Sequence, residues 1–262
     1  MDIAPSSQLD GLVALVTGAT RGIGRAIAFG LASAGAQVVA VSRTQGALED
    51  LDDEIKRHSG GPGATLVPLD ITDGEAVDRL GAAIHQRWGR LDILVGAAGV
   101  LGATTPIAHM DPDNWDRVIA ANLTANYRLL RSMDSLLRAA PAARVALLTS
   151  GAAAKPRAFW GAYAASKAGL EALATTYADE VDNTAIRVAV VNPGPMRTLM
   201  RQRAFPGEDP ITLPAPEEIV PLILELVGPG SQPPAGVVSF PDWAAKREGA
   251  AVSGDASLTS AD

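Results

Sequence analysis

The sequence predicts an α/β fold: a single parallel sheet, doubly wound, with helices on both faces. Three observations carry this. From residue 12 onward, short apolar runs alternate with longer segments of helical periodicity. The runs are apolar along their whole length rather than at alternate positions, as strands covered on both faces are. A glycine-rich turn, TGATRGIG at 17–24, separates the first run from the first helical segment. Strand–helix alternation of this kind places ligands at the carboxyl ends of the strands.

The elements follow in order. LVALVT (12–17) reads as a buried strand and IGRAIAFGLASAG (23–35) as a helix ended by Gly35. QVVAVS (37–42) is a second strand, and ALEDLDDEIKRHSG (47–60) an amphipathic helix closing on glycine. Then come strand 64–70, helix 73–89 and strand 91–99. A second half repeats the theme with helix 111–139, strand 143–150, helix 160–181 and strand 185–194. Residues 195–216 are rich in Pro and Arg and read as a loop with a short helix. Helix 217–227 and strand 236–240 close the pattern. Residues 1–243 thus read as one dinucleotide-binding domain, and 244–262 as a flexible, solvated tail with little to bury.

Composition narrows the function classes. A chain of 262 residues without cysteine has no disulfide, no thiolate metal site and no cysteine nucleophile. No metal-ligand set is expected. A net charge of −7 argues against a nucleic-acid partner. The segment MDIAPSSQLDG lacks a basic stretch followed by an apolar one, and no 18 apolar residues run together, so neither a secretory leader nor a membrane span is expected. The expected location is cytoplasmic.

Chemistry concentrates in a few motifs. Gly18, Gly22 and Gly24 have the spacing G-x₃-G-x-G after the first strand. Residues without Cβ let the backbone approach a pyrophosphate, and the helix N-terminus adds free N–H groups and positive dipole charge. This is the Rossmann-type solution. In GAYAASKAGLEAL (161–173), Tyr163 precedes Lys167 by four residues, so phenol and ammonium lie one above the other on a helix. Taken singly, such a pair is commonplace on helices, a strand-end Ser150 caps backbone, Asn122 is a helix polar, and Arg21 and Arg43 are surface charges.

Jointly, the glycine spacing and Y-x₃-K resemble the short-chain dehydrogenase/reductase family over about residues 11–243, with the long match of FWGAYAASK and TLMRQRAFPGEDP most like the YciK-like oxidoreductases. The resemblance implies further roles. Ser150, thirteen residues before Tyr163, matches the family's serine, and Asn122 in AANLTANY its helix asparagine. Asp70 matches the acid that touches adenine, and NPGPMRT supplies Pro193, Gly194, Met196 and Thr198 beside the cofactor. Thr20, Ile23, Ile71, Ala98 and Gly99 fall at further cofactor-lining positions. One motif departs: the family's N-N-A-G stands here as GAAG at 96–99, for which local rewiring is expected rather than lost catalysis.

The implied reaction is hydride transfer between a nicotinamide cofactor and a carbonyl or alcohol. A free phenol titrates at about pH 10, too high for neutral acid–base work. Lowering it by about three units takes about 4 kcal/mol, which neighbouring cations can supply. Tyr163 would donate the proton to the carbonyl oxygen and Ser150 would fix that oxygen. By family resemblance, Lys167 would lower the tyrosine pKa and hold the nicotinamide ribose, and Asn122 would bind a relay water.

Cofactor choice is read at the end of the second strand. Where an NAD enzyme carries an acid for the ribose 2′-OH, this chain has Ser42 followed by Arg43, with Arg21 in the glycine loop. Two guanidiniums and no carboxylate suit a 2′-phosphate, so NADPH is expected, with NAD as the alternative.

A catalytically idle dinucleotide-binding sensor or scaffold is the competing reading. A nucleotide-sugar epimerase or dehydratase lacks its larger C-terminal substrate domain here, and a Rossmann-type methyltransferase gives no reason for Y-x₃-K. The expected partner is a small carbonyl or alcohol, in a homodimer or homotetramer paired through helices 111–139 and 160–181. Arg157, Arg197, Arg201 and Arg203 stand in segments expected to wall the substrate, where an anionic substrate or acyl carrier would meet them.

Overall fold

The computed structural model describes residues 7–256. Within them Val13–Thr17 (β1), Gln37–Ser42 (β2), Thr65–Pro68 (β3) and Ile93–Gly96 (β4) alternate with helices Gly22–Ser33 (α1), Gln45–Ser59 (α2) and Gly74–Trp88 (α3). The second half runs through Pro112–Ile119 (α4), Ala125–Ala139 (α5), Arg144–Leu148 (β5), Gly151–Ala154 (α6), Gly161–Glu180 (α7) and Arg187–Asn192 (β6). It ends with Leu199–Ala204 (α8), Val220–Val227 (α9), Val237–Ser239 (β7) and Phe240–Ala256 (α10).

Among the described residues seven strands form one sheet in the order β3-β2-β1-β4-β5-β6-β7, every pairing parallel. The chain leaves β1 in one direction through β2 and β3, then returns to lay β4 on the other side of β1. That reversal opens a crevice at the carboxyl ends of β1 and β4. β1, β4 and β5 are buried at every residue because each face of the sheet carries its own core. One core joins Leu31, Leu48, Leu51 and Ile223 to the sheet, and the other Ile84, Leu94, Leu129 and Met133. The apolar runs fail to alternate for this reason.

Three features depart from the sequence pattern. The expected helix 111–139 is broken by a π turn, Ala120–Thr124. The cause sits inside it: fully buried Asn122 accepts from the Val100 N–H (2.8 Å) and donates to the Val100 carbonyl (2.9 Å), tying the helix sideways to the loop after β4. The one-turn helix α6 was not foreseen; Ser150 caps it through the Ala152 N–H (3.3 Å). The segment read as a tail from residue 244 continues α10 helically to Ala256; Ala244 packs against the first core beside Trp243, the last residue assigned to the domain, whose indole N–H is bonded to Glu225 (2.9 Å). Residues 257–262 lie outside the described residues.

The GAAG stretch is tied in by hydrogen bonds to β1. The buried Thr17 hydroxyl accepts the N–H groups of Ala97 and Ala98, both at 3.2 Å, and so holds the end of β4 to β1. Gly96 leaves room for Asn126 of α5: a Cβ there would lie 2.5 Å from Asn126 Oδ1 and 2.6 Å from Leu147 Cδ2. Asn126 donates to the Asn122 carbonyl (2.8 Å), so the space opened in the sheet is used by a residue that braces the π turn. Gly96→Ala should destabilise the fold by about 1–3 kcal/mol through overpacking. Adding Asn126→Ala should recover part of that loss. Thermal melting of the two single variants and the double variant measures the coupling.

Candidate active site

The crevice is lined first by the glycine loop. Gly18 and Gly22 take left-handed φ values of 69° and 51°, and a Cβ on Gly24 would sit 2.3 Å from the Gly18 carbonyl. The loop therefore has three positions that only glycine fills without strain or clash. It delivers the chain into α1 through Arg21, whose side chain makes no capping bond, and the first turn of α1 holds no acid. The free N–H groups and dipole of that helix end are left to an anion.

Beside the loop, the Thr20 and Ser42 hydroxyls lie 2.8 Å apart and join it to the end of β2. Arg43 is exposed and reaches Asp70 at 3.8 Å. Asp70 accepts from the Thr72 N–H (2.9 Å) and hydroxyl (2.8 Å). Burial pushes its carboxyl up, but the two Thr72 bonds and Arg43 outweigh that and hold it below the usual range. These groups make a polar rim at the β2–β3 edge, with Arg21 exposed on the loop.

The second wall comes from β5, α7 and the π turn. Ser150 stands two residues beyond β5, as the cap of α6, and Tyr163 lies on the first turn of α7, with Lys167 one turn further on. Tyr163 and Lys167 are both buried. Lys167 Nζ donates to the Leu148 carbonyl (2.7 Å) and stands 6.0 Å from the Tyr163 ring centroid. Asn122 Nδ2 donates to Ser166 Oγ (3.0 Å), which in turn donates to the Tyr163 carbonyl (2.8 Å). A Cβ on Gly99 would stand 3.2 Å from Asn122 Oδ1 and 3.7 Å from Lys167 Nζ, so the loop after β4 reaches the same place. Asn122, Ser150, Tyr163 and Lys167 are thus brought into one neighbourhood.

The electrostatics differ from the sequence expectation in one respect. Burial pushes the Tyr163 phenol above its ordinary value, while a hydrogen bond with Ser150 pulls it back only in part. Burial thus outweighs whatever pull the nearby lysine exerts. Lys167 is itself brought down to about 8 by burial, with Glu171 opposing that shift. Two buried groups that each resist charging explain both directions. Glu171, one helical turn beyond Lys167, accepts from the Thr149 hydroxyl (2.7 Å). The sequence reading missed it, although the stripe Tyr163, Lys167, Glu171 at i, i+4 and i+8 was the signal.

The remaining sequence-assigned positions separate into two groups. Gly194 (φ 67°) turns the chain after β6, and Thr198 caps α8 by accepting the Arg201 N–H (3.2 Å) while its methyl faces Gly22 across the crevice. Pro193 is buried beside them. By contrast, Met196 buries its side chain in the first core, and Ile23 and Ile71 pack against the cores. Ala98 likewise has its N–H taken by Thr17.

Above the phenol lies a separate apolar cluster in which Leu101, Trp160 and Met200 pack against Ala152, Tyr163 and Ala164. Of the four arginines in the wall segments, Arg201 is neutralised by Glu208 (2.5 and 2.6 Å) and seated on the Phe205 ring at 3.8 Å. Among the described residues no group of three or more His, Asp or Glu side chains is arranged to hold a metal, and no helix is long and apolar enough to cross a membrane.

Comparison with known proteins agrees with this architecture. The profile of the short chain dehydrogenases matches residues 12–209. The chain is 35% identical over 230 residues to the uncharacterized oxidoreductase YciK of Escherichia coli (strain K12), covering 87% of this chain and 91% of that protein. A short chain dehydrogenase structure from Pseudomonas syringae superposes with a TM-score of 0.86 at 38% identity, covering 90% of this chain and 96% of the other. One from Shigella flexneri 2a, complexed with NADP, gives 0.85 at 34% identity, covering 89% and 98%. With its seven-stranded parallel sheet, glycine loop and Tyr163–Lys167 helix, the chain belongs to the short chain dehydrogenase family of oxidoreductases.

Proposed function

We propose that the protein is an NADPH-dependent reductase of carbonyl compounds in which Tyr163 is the general acid. The observation that carries this reading is the convergence of a buried phenol, the Ser150 hydroxyl and the buried Lys167 ammonium at the carboxyl ends of the strands, facing an uncapped α1 N-terminus. The chain's own groups fit a phosphorylated dinucleotide: glycine cradle, free helix N–H groups, and Arg21 and Arg43 with no acid at position 42. The NADP-bound Shigella flexneri relative supports the same choice.

When bound, the cofactor supplies the hydride. The chain does the rest. A phenol held above its ordinary pKa stays protonated in the resting enzyme, and an oxygen gaining negative charge is a far stronger base than the phenolate. Tyr163 therefore stores the proton until the carbonyl oxygen demands it. Ser150 holds that oxygen by a hydrogen bond. Lys167, parked on the Leu148 carbonyl, has further N–H groups free for the ribose, and its positive charge favours the phenolate left behind. Asn122 spends its side chain on Val100 and Ser166, so any water it holds is held by its backbone carbonyl, which Asn126 already polarises. A panel of ketones, acyl thioesters, quinones and sugars, followed by loss of NADPH absorbance, tests the reading. Cofactor binding without turnover of any of them would favour the idle sensor instead.

The pH profile carries a signature. Lys167 loses its charge as pH rises through about 8, so kcat/KM for carbonyl reduction should fall above that pH. Glu171→Gln removes the charge that holds Lys167 up, and should move this alkaline limb to lower pH. A limb unmoved by that variant would assign it to another group. The sign for stability is the opposite: a depressed lysine favours the fold more as pH climbs from about 8 toward the free-lysine range.

Assembly is expected through α5 and α7. Ala165, Ala168 and Ala172 form an exposed stripe of small residues along α7, and Tyr127 is exposed on α5. Light scattering should give a dimer or tetramer, and Ala168→Glu should shift it toward monomer. A monomeric wild type at micromolar concentration would refute the pairing.

A further inference from the structure

Resting on the reductase reading, we infer that the site takes carbonyl compounds with an apolar body, an aryl or branched alkyl ketone or aldehyde, and that Trp160 sets this preference. The side chains packed around Tyr163 are Ala152, Ala164, Leu101, Trp160 and Met200, none of which offers a charge. Trp160 stands edge-on to the Tyr163 ring, with centroids 5.7 Å apart and planes at 78°. A substrate whose carbonyl oxygen reaches the phenol meets this apolar surface. Apolar atoms gain there by leaving water. Hydroxyl groups placed on the same wall would lose their water partners without replacement.

Trp160 is held in position from two sides. Before it, Phe159 takes a left-handed φ of 73°, a conformation that a residue with a bulky side chain adopts at a cost, and its carbonyl accepts the Thr105 N–H (3.0 Å). Behind it, Phe205 packs on the indole at 5.7 Å. Phe205 is itself held under Arg201, which Glu208 fixes, with Arg157 at 5.6 Å. The chain thus spends a strained turn and two cations on keeping one indole against the phenol. The same arrangement pairs Arg201 with Glu208, so the aromatic stack behind Trp160 holds that cation already neutralised.

The reaction balances as two electrons and one proton from NADPH as hydride to the carbonyl carbon, and one proton from Tyr163 Oη to the oxygen. The alcohol leaves, and solvent returns a proton to Tyr163.

The test uses three probes sharing a reactive carbonyl: 1-phenyl-1,2-propanedione, 2,3-butanedione and dihydroxyacetone, each with NADPH and the full chain. The phenyl dione should exceed 2,3-butanedione in kcat/KM by at least about tenfold, and dihydroxyacetone should be the poorest. Trp160→Ala should collapse the phenyl-to-methyl ratio to within about threefold, Trp160→Phe should keep most of it, and Phe205→Ala should lower it in part. A preference for dihydroxyacetone, or a ratio unchanged in Trp160→Ala, overturns the inference. Calorimetric titration of 1-phenylethanol into the NADP-loaded protein separates this from the reductase reading, because it needs no turnover. Binding weakened about tenfold by Trp160→Ala, but not by Trp160→Phe, upholds the apolar wall even where no dione is reduced. Binding indifferent to both variants overturns it even where Tyr163-dependent turnover is intact.

Discussion

Tyr163→Phe should lower turnover of a carbonyl substrate by at least about 10²–10⁴-fold, the usual worth of a positioned general acid. The ring's packing survives: Trp160 keeps its edge contact, and only the buried hydroxyl beside Ser150 is lost. NADPH affinity and melting temperature should therefore hardly move. Ser150→Ala should fall along the same axis but less far, because it removes a hydrogen bond to the oxygen and not the proton itself. The measurement is single-turnover NADPH oxidation beside cofactor titration of the same preparations. Near-normal turnover by the phenylalanine variant would remove Tyr163 from the chemistry.

The second large effect is in cofactor choice. The 2′-phosphate of NADPH is expected between Arg21, Ser42 and Arg43. Charge-assisted bonds are worth about 1.5–3 kcal/mol each, less at an exposed rim. Arg43 is 3.8 Å from Asp70, so part of its charge is already spent. A preference of about ten- to several-hundredfold in kcat/KM for NADPH over NADH is still expected from two such contacts. Arg43→Ala should weaken NADPH and leave NADH nearly unaffected. Ser42→Asp should reverse the preference, since a carboxylate repels the phosphate and accepts from a free 2′-OH; it also breaks the bond to Thr20, so some loss with both cofactors accompanies the reversal. Equal weakening of both cofactors in Arg43→Ala would make the arginine structural.

The fold was legible because its signals are local. Unbroken apolar strands, glycine at helix ends and the 3.6 period located the strands and most helices within a few residues. What escaped was set by contacts distant in sequence. The π turn at 120–124 exists because Asn122 bonds to Val100, and no periodicity at 111–139 announces a partner twenty-two residues away. Asn126 read as one more helix polar until Gly96 made room for it. In the site, identities and spacings were legible, but the direction of the Tyr163 pKa was not. Spacing places an ammonium near a phenol; burial, which spacing does not report, decides that the phenol rises. For the same reason four arginines looked equivalent in sequence, and one of them proved to be paired with Glu208 and seated on Phe205.

The contact of α10 with the loop after β6 bears on when the protein first becomes competent. Gly194 turns with φ 67° directly against Pro241: a Cβ there would lie 2.6 Å from the proline Cγ. Phe240, its neighbour, is buried in the first core. A nascent chain emerging from the ribosome can pair β1 to β6 and form the glycine loop well before residues 240–241 exist, since synthesis runs from the amino end. Until then the turn that carries Pro193, Gly194 and Thr198 lacks the Pro241 contact against Gly194. Dinucleotide binding should therefore appear late in synthesis, as a step separate from sheet formation. Nonsense variants ending between β6 and Phe240 should accumulate as chains with most of their secondary structure and no grip on the cofactor.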